Sequence, residues 1–349
     1  MLIRGRLLLD AARQPTPGWV RVEGGMIADM GEGDPPHGSQ GERLGGEGRI
    51  ICPGFIDAHI HLPQVESVGV DGPELLEWLR RAVFPAEEWW ARGGAAHLTT
   101  IAVARMLRNG TTGFAGYLAS DGESSAESAR MLQSGAGLPG RMRFAVGRVA
   151  MDRNAPAALT RYDRERAETQ PTPSVMLGGL TEESGPRRGE VSLNPRFAIS
   201  CSDELLAEIG WRFNERARSQ PPGPLIQTHL AESKAECEEV DRLFPDAPHY
   251  TAVYDRFGLL TRRTLLAHCV HLSEAEWALI RDRGCVVVHC PTANTFLRSG
   301  HFDLDAARAH GVRLALGSDV AGGPDFAMPR VARAMIDVAK SRAMAGATG

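Results

Sequence analysis

The stretch that decides the fold of this chain runs from Pro53 to His61 and reads PGFIDAHIH. Apolar residues surround the first histidine, a pattern typical of a buried β-strand. Side chains alternate along a strand, so His59 and His61 project from the same face. Two imidazoles that converge on one point can share a metal ion, and histidine is a common ligand of zinc and iron. The alternative for any His-x-His pair is two satisfied polar side chains at a strand end.

Three later sites favour the metal interpretation. Short apolar runs end at His229, at His268 and at Asp319. A strand that stops at a charged or metal-binding residue is typical of a barrel rim, where strands end and loops begin. The repeated pattern therefore predicts a site built from the ends of several strands.

The composition limits the classes of protein to which the chain can belong. It has 349 residues, of which 43% are hydrophobic, and a formal net charge of −4. This length is enough for one large barrel or for two domains. The mild acidity argues against electrostatic nucleic-acid binding, which needs a concentrated basic face. No window holds about eighteen uninterrupted apolar residues. The first residues lack the apolar core of a signal peptide, so we expect a cytoplasmic protein.

The six cysteines form no Cys-x-x-Cys pair. This argues against a thiolate zinc knuckle or a redox pair, and we expect buried free thiols instead. The zinc site of the cytidine-deaminase type needs His-x-Glu together with Pro-Cys-x-x-Cys, and the two do not occur together here.

The amino-terminal segment differs in pattern from the rest of the chain. Short strands are predicted over Leu2–Leu9 and Trp19–Met26, and a loop over Gly31–Glu47, which is rich in glycine, proline and charge. We therefore predict a small β module, a partial β-sandwich, over residues 1–52 and a main domain over residues 53–349.

In the main domain, short apolar runs alternate with amphipathic stretches. Eight strands that alternate with helices predict an α/β fold, a (β/α)8 TIM-like barrel. The predicted strands are Phe55–His61, Gly113–Tyr117, Arg143–Met151, Val191–Phe197, Leu225–His229, Thr264–His268, Val286–Cys290 and Leu314–Asp319. The predicted helices include Ala95–Arg108, Asp203–Arg216, Ala235–Leu243 and Phe326–Met344, with Ser202 and Ser273 as N-caps. A surface loop is predicted over Thr169–Gly189.

These patterns resemble the amidohydrolase superfamily and, within it, the barrel-type guanine deaminases. The superfamily signature is the stretch Pro53–His61, followed by His229, His268 and Asp319 after later strands. The resemblance to the subgroup rests on Leu75–Leu79, Phe84–Glu87, Met151–Pro156, Asn194–Ala198, Tyr250–Tyr254, His289–Asn294 and Gly317–Gly323. The resemblance covers the chain from Pro53 to Gly323.

The resemblance implies one set of metal ligands, namely His59, His61, His229 and Asp319. Three nitrogens and one carboxylate suit Zn²⁺, with Fe²⁺ as the alternative. Superfamily members with two metals often bridge them through a carbamylated lysine on the fourth strand. Lys234 and Lys340 are the only lysines and neither matches that position, so a single metal ion is favoured.

The resemblance also assigns the catalytic residues. Glu232 would carry protons between the water, a ring nitrogen and the departing ammonia, which typically contributes ~10²–10⁴-fold in rate. His268 would hydrogen-bond the attacking oxygen, and Asp319 would orient the water as well as bind the metal. The structural alternatives are a carboxylate at a helix N-terminus for Glu232, a core histidine for His268, and a turn former before Gly322 and Gly323 for Asp319.

The same resemblance implies how a base would be held. Arg196 would bind O6 of guanine, Gln64 would bind another polar edge of the ring, and Phe197 and Trp78 would pack against the flat base. The alternatives are that Trp78 belongs to the core of an extra helix and that Arg196 forms a surface ion pair.

The function implied is hydrolytic deamination of guanine, a purine base, to xanthine and ammonia by a homodimer. A related deaminase that acts on cytosine, an adenosine-like compound or a triazine is the first alternative. Family members usually continue well beyond the length of this chain, with strands that complete the amino-terminal module. An inactive fragment is therefore the second alternative.

Overall fold

The computed structural model describes residues 1–36, 41–161 and 189–346. The chain forms two compact units, Met1–Phe55 and Ile56–Gly349. The division into domains at residues 1–52 and 53–349 stays a prediction. The loop predicted over Thr169–Gly189 lies outside the described residues except for Gly189, which begins a strand.

The first unit is a four-stranded sheet. Its strands are β1 Leu2–Leu7, β2 Thr16–Glu23, β3 Met26–Glu32 and β4 Arg43–Ile51. They lie in the order β3-β2-β1-β4. The pairs β1–β2 and β2–β3 are antiparallel, and β1–β4 is parallel.

Two predictions for this unit need correction. The predicted strand Trp19–Met26 is a hairpin, because Gly24 and Gly25 take positive φ angles of 56° and 78° and turn the chain between β2 and β3. A Gly-Gly pair adopts these angles without a steric penalty. The loop predicted over Gly31–Glu47 is wrong at both ends, because its first residues complete β3 and its last residues begin β4.

The second unit contains the predicted barrel, and the fold class is confirmed. The strands are β5 Phe55–His61, β6 Thr111–Leu118, β7 Arg143–Ala150, β8 Gly189–Val191, β9 Asn194–Pro195, β10 Ile226–Leu230, β11 Thr264–His268, β12 Val286–His289 and β13 Arg313–Leu316. They form two runs, β5-β6-β7-β8 and β10-β11-β12-β13, and β9 pairs with β7.

Contacts at two points join the runs into a ring. Leu193, which lies between β8 and β9, forms a parallel bridge with Ile226 and so connects this part of the ring to β10. At the other point, the segment after β13 pairs with β5. The amide of Asp319 donates to the carbonyl of His59 at 2.8 Å, and the amide of His61 donates to the carbonyl of Val320 at 2.9 Å.

The fourth barrel strand, predicted as Val191–Phe197, is interrupted in the structure. Its two pieces, β8 and β9, both pair with β7. Between them, Leu193 turns its backbone towards the neighbouring strand, donating to Leu225 and accepting from Gln227. The backbone of this segment therefore divides its hydrogen bonds between two neighbours.

Helices lie between the strands. The α-helices are Leu75–Trp78, Phe84–Trp89, Ala95–Arg108, Gly122–Ser134, Asp203–Ser219, Lys234–Leu243, Tyr250–Arg256, Glu274–Arg283, Pro291–Phe296, Leu304–Ala309 and Met328–Gly346. The predicted N-caps precede two of them: the hydroxyl of Ser202 accepts from the amide of Leu205, and Ser273 bonds to Glu276 in a capping box. No helix in the described ranges is long and apolar enough to cross a bilayer.

One helical segment matters for the site described below. Two stretches with wider π-type turns, Leu79–Val83 and Trp90–Gly94, flank the helix Phe84–Trp89. Turns of this type are frequent at functional sites because they change the direction of side chains relative to a regular helix. The segment follows closely on the first barrel strand, and its first residue, Leu79, lines the pocket at the strand ends.

Candidate metal centre and active site

The predicted metal ligands converge at the carboxyl ends of the barrel strands. His59 and His61 end β5, His229 lies in β10, and Asp319 follows β13. Nε2 of His61 lies 3.3 Å from Nε2 of His59 and 3.2 Å from Nε2 of His229. Oδ1 of Asp319 lies 3.2 Å from Nε2 of His59 and 3.4 Å from Nε2 of His61.

These distances fit a tetrahedral metal site. In such a site with ligands ~2.0–2.1 Å from the centre, neighbouring ligand atoms lie about 3.3–3.4 Å apart. The ligand atoms of His59, His229, His268 and Asp319 also lie within 4.8 Å of one another. We assign His61 rather than His268 as the fourth ligand because its shorter contacts match that edge length.

Electrostatics favours metal-binding forms of these side chains. Burial lowers the pKa of His61 to about 4, with a further contribution from His59. Burial and the neighbouring histidines lower the pKa of His229 well below its ordinary value. Burial alone would raise the pKa of Asp319, but hydrogen bonds to His59 and His61 bring it well below the ordinary value. Neutral imidazoles and an ionised carboxylate are the forms that bind a metal ion.

Neighbouring groups orient the ligands. Nδ1 of His229 lies 2.6 Å from the carbonyl oxygen of Arg196. If Nδ1 donates this bond, Nε2 has a free lone pair that points at the other ligands. The carboxylate of Asp57 accepts from the amide of His59 at 3.2 Å and from the amide of Ser318 at 2.9 Å, so it connects the regions that carry His59 and Asp319.

The loop that carries Asp319 depends on close packing. A Cβ atom at Gly317 would lie 2.6 Å from Cβ of His59, and one at Gly322 would lie 2.8 Å from Oδ2 of Asp319. Only glycine permits the backbone to approach the ligands this closely. The structural alternative for Asp319, a mere turn former, does not account for its contacts with two imidazoles.

Glu232 faces the same centre from the loop after β10. Its Oε1 accepts from the hydroxyl of Ser299 at 3.1 Å, and its Oε2 lies 3.4 Å from Nε2 of His268. Burial raises the pKa of Glu232 well above its ordinary value, Asp319 and Glu236 raise it further, and the bond from Ser299 lowers it. The carboxylate does not cap the following helix, because Ser233 is the N-cap of Lys234–Leu243.

His268 is held by a partner that sequence analysis did not assign. Its Nδ1 lies 2.8 Å from Oδ1 of Asn294. An amide oxygen can only accept, so Nδ1 carries the proton and Nε2 faces Glu232 and Oδ2 of Asp319, at 3.4 and 3.9 Å. Because Nε2 points at the centre, His268 is more than a core histidine.

A pocket beside these residues contains the predicted substrate-binding side chains. It is lined by His61, Gln64, Leu75, Trp78, Leu79, Arg196, Phe197, His229, Glu232, His268, Leu297 and Asp319. Trp78 also belongs to the hydrophobic core and donates from its indole nitrogen to the carbonyl of Val70 at 3.0 Å. Trp78 is therefore a core side chain that also lines the pocket, and its packing against a base stays a prediction.

Arg196 forms an ion pair, but not at the surface. Its Nη1 donates to Oε1 and Oε2 of Glu87 at 2.8 and 2.9 Å, and both side chains are 3% exposed. Nε2 of Gln64 donates to Oε1 of Glu87 at 3.4 Å. The ring of Phe84 lies 5.5 Å from the guanidinium carbon.

A much larger cavity, about 1140 Å³, lies at the amino ends of the strands, where it is lined by residues such as Ile56, Gly113, Phe144 and Leu265. The pocket at the carboxyl ends measures about 30 Å³. We place the site in the smaller pocket, because barrel enzymes carry their chemistry at the carboxyl ends of the strands and because the convergent polar groups lie there.

The comparisons with known proteins agree with this geometry. A sequence model described as the Amidohydrolase family matches residues 50–348. The chain belongs to the amidohydrolase family. The predicted superfamily is therefore confirmed, and the barrel is that of an amidohydrolase.

Among curated amidohydrolases, the chain is similar to guanine deaminases. It is 36% identical to the guanine deaminase of Escherichia coli (strain K12) over 282 residues, which cover 80% of this chain and 61% of that protein. It is 35% identical to the guanine deaminase of Homo sapiens over 284 residues, which cover 80% of this chain and 59% of that protein. The chain thus spans about three fifths of the length of these relatives.

A solved structure of this kind is also similar. The crystal structure of guanine deaminase from C. acetobutylicum, with bound guanine in the active site, has a TM-score of 0.84 to this structure and 28% sequence identity. The similarity covers 99% of this chain and 80% of that chain.

Sequence analysis of this amidohydrolase left four site residues without a role. Asp57, Glu87 and Asn294 lie within motifs that carried the resemblance, so their positions gave a signal but their partners did not. Ser299 lies outside these motifs and had no signal. Both lysines, Lys234 and Lys340, are exposed at the surface.

Proposed function

We propose that this amidohydrolase hydrolyses guanine to xanthine and ammonia. The observation that carries the proposal is the arrangement of the pocket: Arg196 and Gln64 share one cavity with Glu232 and with three of the candidate metal ligands, His61, His229 and Asp319. Similarity to guanine deaminases at about 35% identity, and to a structure with bound guanine, supports the choice of base.

We propose one metal ion per chain, held by His59, His61, His229 and Asp319, with Zn²⁺ preferred and Fe²⁺ as the alternative. When bound, such an ion supplies Lewis acidity that makes water nucleophilic near neutral pH. The geometry and the donor set both fit this assignment.

The chain's own residues would move the protons. Glu232, a buried carboxylate with a raised pKa, would accept a proton from water, pass it to a ring nitrogen and help protonate the departing amine. His268 would hydrogen-bond the attacking oxygen through Nε2. Asp319 would accept a hydrogen bond from the water through the carboxylate oxygen nearer His268.

Recognition of the base would depend on polar groups at the opposite side of the pocket. Arg196 would donate to O6 of guanine, and Gln64 would bind a second polar edge. Adenine carries an amine where guanine carries O6, and an amine leaves the arginine without an acceptor. A buried donor without a partner costs about 1–3 kcal/mol, and more when it is charged. Phe197 and Trp78 would pack against the faces of the ring.

The pocket must widen when a base binds. Its volume of about 30 Å³ in this structure is far below the roughly 300–1,000 Å³ of typical ligand pockets.

Ammonia release from purified protein of measured metal content tests the proposal, with guanine, adenine and cytosine as substrates. We expect turnover of guanine alone, with about one metal ion per chain. Glu232→Gln removes the proton carrier and should abolish turnover while the protein still binds metal. Glu239→Gln, a charge-removing change at a partly exposed ion pair with Arg242 in the next helix, is the matched control.

The other outcomes contradict the proposal in distinguishable ways. Activity on cytosine, an adenosine-like compound or a triazine, but not on guanine, would assign a related deaminase. If the protein binds metal but is inactive on all of these compounds, the proposed metal centre would be supported and the proposed substrate would be wrong. The homodimer and the cytoplasmic location stay predictions.

A further inference from the structure

The carboxylate of Glu87 is the acidic partner of the pocket's arginine. Both of its oxygens contact Nη1 of Arg196, at 2.8 and 2.9 Å. Glu87 is 2% exposed and Arg196 is 3% exposed, so the pair lies away from water. A contact of this kind is strong, because little solvent screens it and because each charge would be costly without the other.

The same carboxylate orders the second recognition residue. Oε1 of Glu87 accepts from Nε2 of Gln64 at 3.4 Å. Gln64 immediately follows the metal ligands in a short turn, Leu62–Gln64. One acidic side chain therefore contacts both polar residues that we propose for binding the base, and Gln64 keeps its amide oxygen as an acceptor and one N–H as a donor.

The contact leaves part of the guanidinium for a ligand. Within the described part of the chain, the hydrogen bonds of this group run from Nη1, to Glu87 and to the sulfur of Met151 at 3.9 Å. Nη2 and Nε remain as donors. Phe84, one turn before Glu87 on the same helix, places its ring 5.5 Å from the guanidinium carbon, so one helical turn holds the group through two contacts.

The pair also sets the charge of this side of the pocket. An unpaired buried arginine attracts an anion, whereas an arginine already paired with a carboxylate gains much less from a second negative charge. A carbonyl oxygen still gains a full hydrogen bond from Nη2 or Nε, because it brings no net charge.

We propose that Glu87 is a positioning residue which presents Arg196 to a neutral carbonyl and makes the pocket select uncharged bases over anionic ones. This inference rests on the proposed function for the identity of the ligand class, a planar base with a carbonyl group. It assigns to Glu87 a selectivity that acts through Arg196 rather than by contact with the base.

The test compares the binding of a neutral and an anionic base by isothermal titration calorimetry. Hypoxanthine carries the neutral carbonyl and lacks the amine that would be hydrolysed, and urate carries the carbonyl with a negative charge. Glu87→Gln should shift the ratio of the two dissociation constants towards urate by roughly tenfold or more, the effect of one charged contact. For guanine turnover, the variant should raise KM by roughly tenfold with a smaller change in kcat.

Matched variants separate selectivity from structural damage. Glu88→Gln changes the next residue, which pairs with Arg92 at 3.0 Å on the outer side of the helix, and should leave the ratio unchanged. Glu87→Asp keeps the charge and should keep the preference for hypoxanthine even if it weakens binding of both ligands. The double variant Glu87→Gln with Arg196→Gln removes both charges and should also keep the preference for hypoxanthine over urate.

Three results would overturn the inference. The first is an unchanged ratio in a Glu87→Gln protein that keeps its metal content and melting temperature. The second is equal binding of urate and hypoxanthine by the unmodified protein, and the third is binding of neither. Because binding is measured without turnover, unmodified protein that binds hypoxanthine but releases no ammonia from guanine would contradict the proposed function and leave the selectivity test intact.

Discussion

Asp57, on the first barrel strand, accepts hydrogen bonds from both the backbone amide and the hydroxyl of Ser318, which lies after the last barrel strand. Ser318 precedes Asp319, a candidate metal ligand, and Asp57 lies two residues before His59, another candidate ligand. The contact therefore closes the barrel at the point where ligands from its first and last strands meet. Burial raises the pKa of Asp57 to about 6 against the lowering effect of these bonds, which shows how fully the carboxylate is removed from water.

The change Asp57→Asn should weaken this closure. An amide group cannot accept at both positions, so one donor of Ser318 or the amide of His59 would lose its partner at a cost of about 1–3 kcal/mol. We expect a lower melting temperature and fewer bound metal ions per chain, measured by calorimetry and by elemental analysis. Asp337→Asn, at an exposed ion pair with Arg333, is the control. Loss of stability in the control as well as in the variant would contradict a specific role for Asp57.

Asn294 fixes the orientation of His268, and its removal should affect catalysis more than metal binding. Asn294→Leu leaves the Nδ1 proton of His268 without an acceptor, so the ring can rotate and Nε2 no longer faces Glu232. Loss of such a supporting contact typically costs about 10–100-fold in activity. Steady-state kinetics with metal analysis should show a lower kcat at unchanged metal content.

Thr295→Val is the matched control for this change, because Thr295 is the next residue of the same helix and its hydroxyl bonds only within that helix, to the carbonyl of Pro291. An equal loss of activity in both variants would indicate general damage to the helix. A loss of metal in Asn294→Leu alone would instead make His268 part of the metal set.

Ser299 tunes the proton carrier, and the direction of its effect follows from the contacts. Its hydroxyl stabilises the ionised form of Glu232 and so lowers a pKa that burial raises. Ser299→Ala removes this lowering contribution, so the pKa of Glu232 rises further. Because the carboxylate must be ionised to accept the proton from water, activity is lost as pH falls through this pKa. We therefore expect the acid limb of the kcat/KM profile, measured over roughly pH 5–9, to move to higher pH.

Ser219→Ala is the control for this change. It removes a hydroxyl that bonds only to carbonyls of its own helix among the described residues, and it should leave the pH profile of kcat/KM unchanged. A Ser299→Ala profile that does not move, or that moves to lower pH, would show that Glu232 does not control the acid limb.

The convergence of the candidate metal ligands could be predicted from sequence because each position follows a local rule. Alternation along a strand places His59 and His61 together, and the ends of parallel strands in a barrel share one rim, which brings in His229 and Asp319. The relation between these residues depends on the topology alone. A correct strand count was therefore sufficient to bring residues together that lie far apart in the sequence.

Other features of the site could not be predicted because they depend on side-chain contacts between distant segments. No local pattern connects Glu87 on a pocket helix with Arg196 on the fourth strand. The interruption of that strand has a similar origin, because Leu193 pairs with β10 while its neighbours on both sides pair with β7. Sequence shows which residues favour a strand, but the division of backbone hydrogen bonds between two neighbours is decided by the closed ring.

Removal of the metal should lower stability as well as activity. The candidate ligand set brings Nε2 of His61 to 3.3 Å from Nε2 of His59 and to 3.2 Å from Nε2 of His229, and a bound cation would stabilise this close approach of lone pairs. A metal ion present at about a hundred times its Kd for the folded chain contributes ~2.7 kcal/mol, which corresponds to roughly 4 °C in Tm for a unit as large as Ile56–Gly349. Chelation should therefore lower Tm and abolish ammonia release, and added zinc should restore both.

His61→Ala should lose the response to zinc, whereas His97→Ala, at an exposed contact with Glu66, should keep it. A Tm that does not respond to chelation in metal-loaded protein would contradict a metal site formed by these four residues.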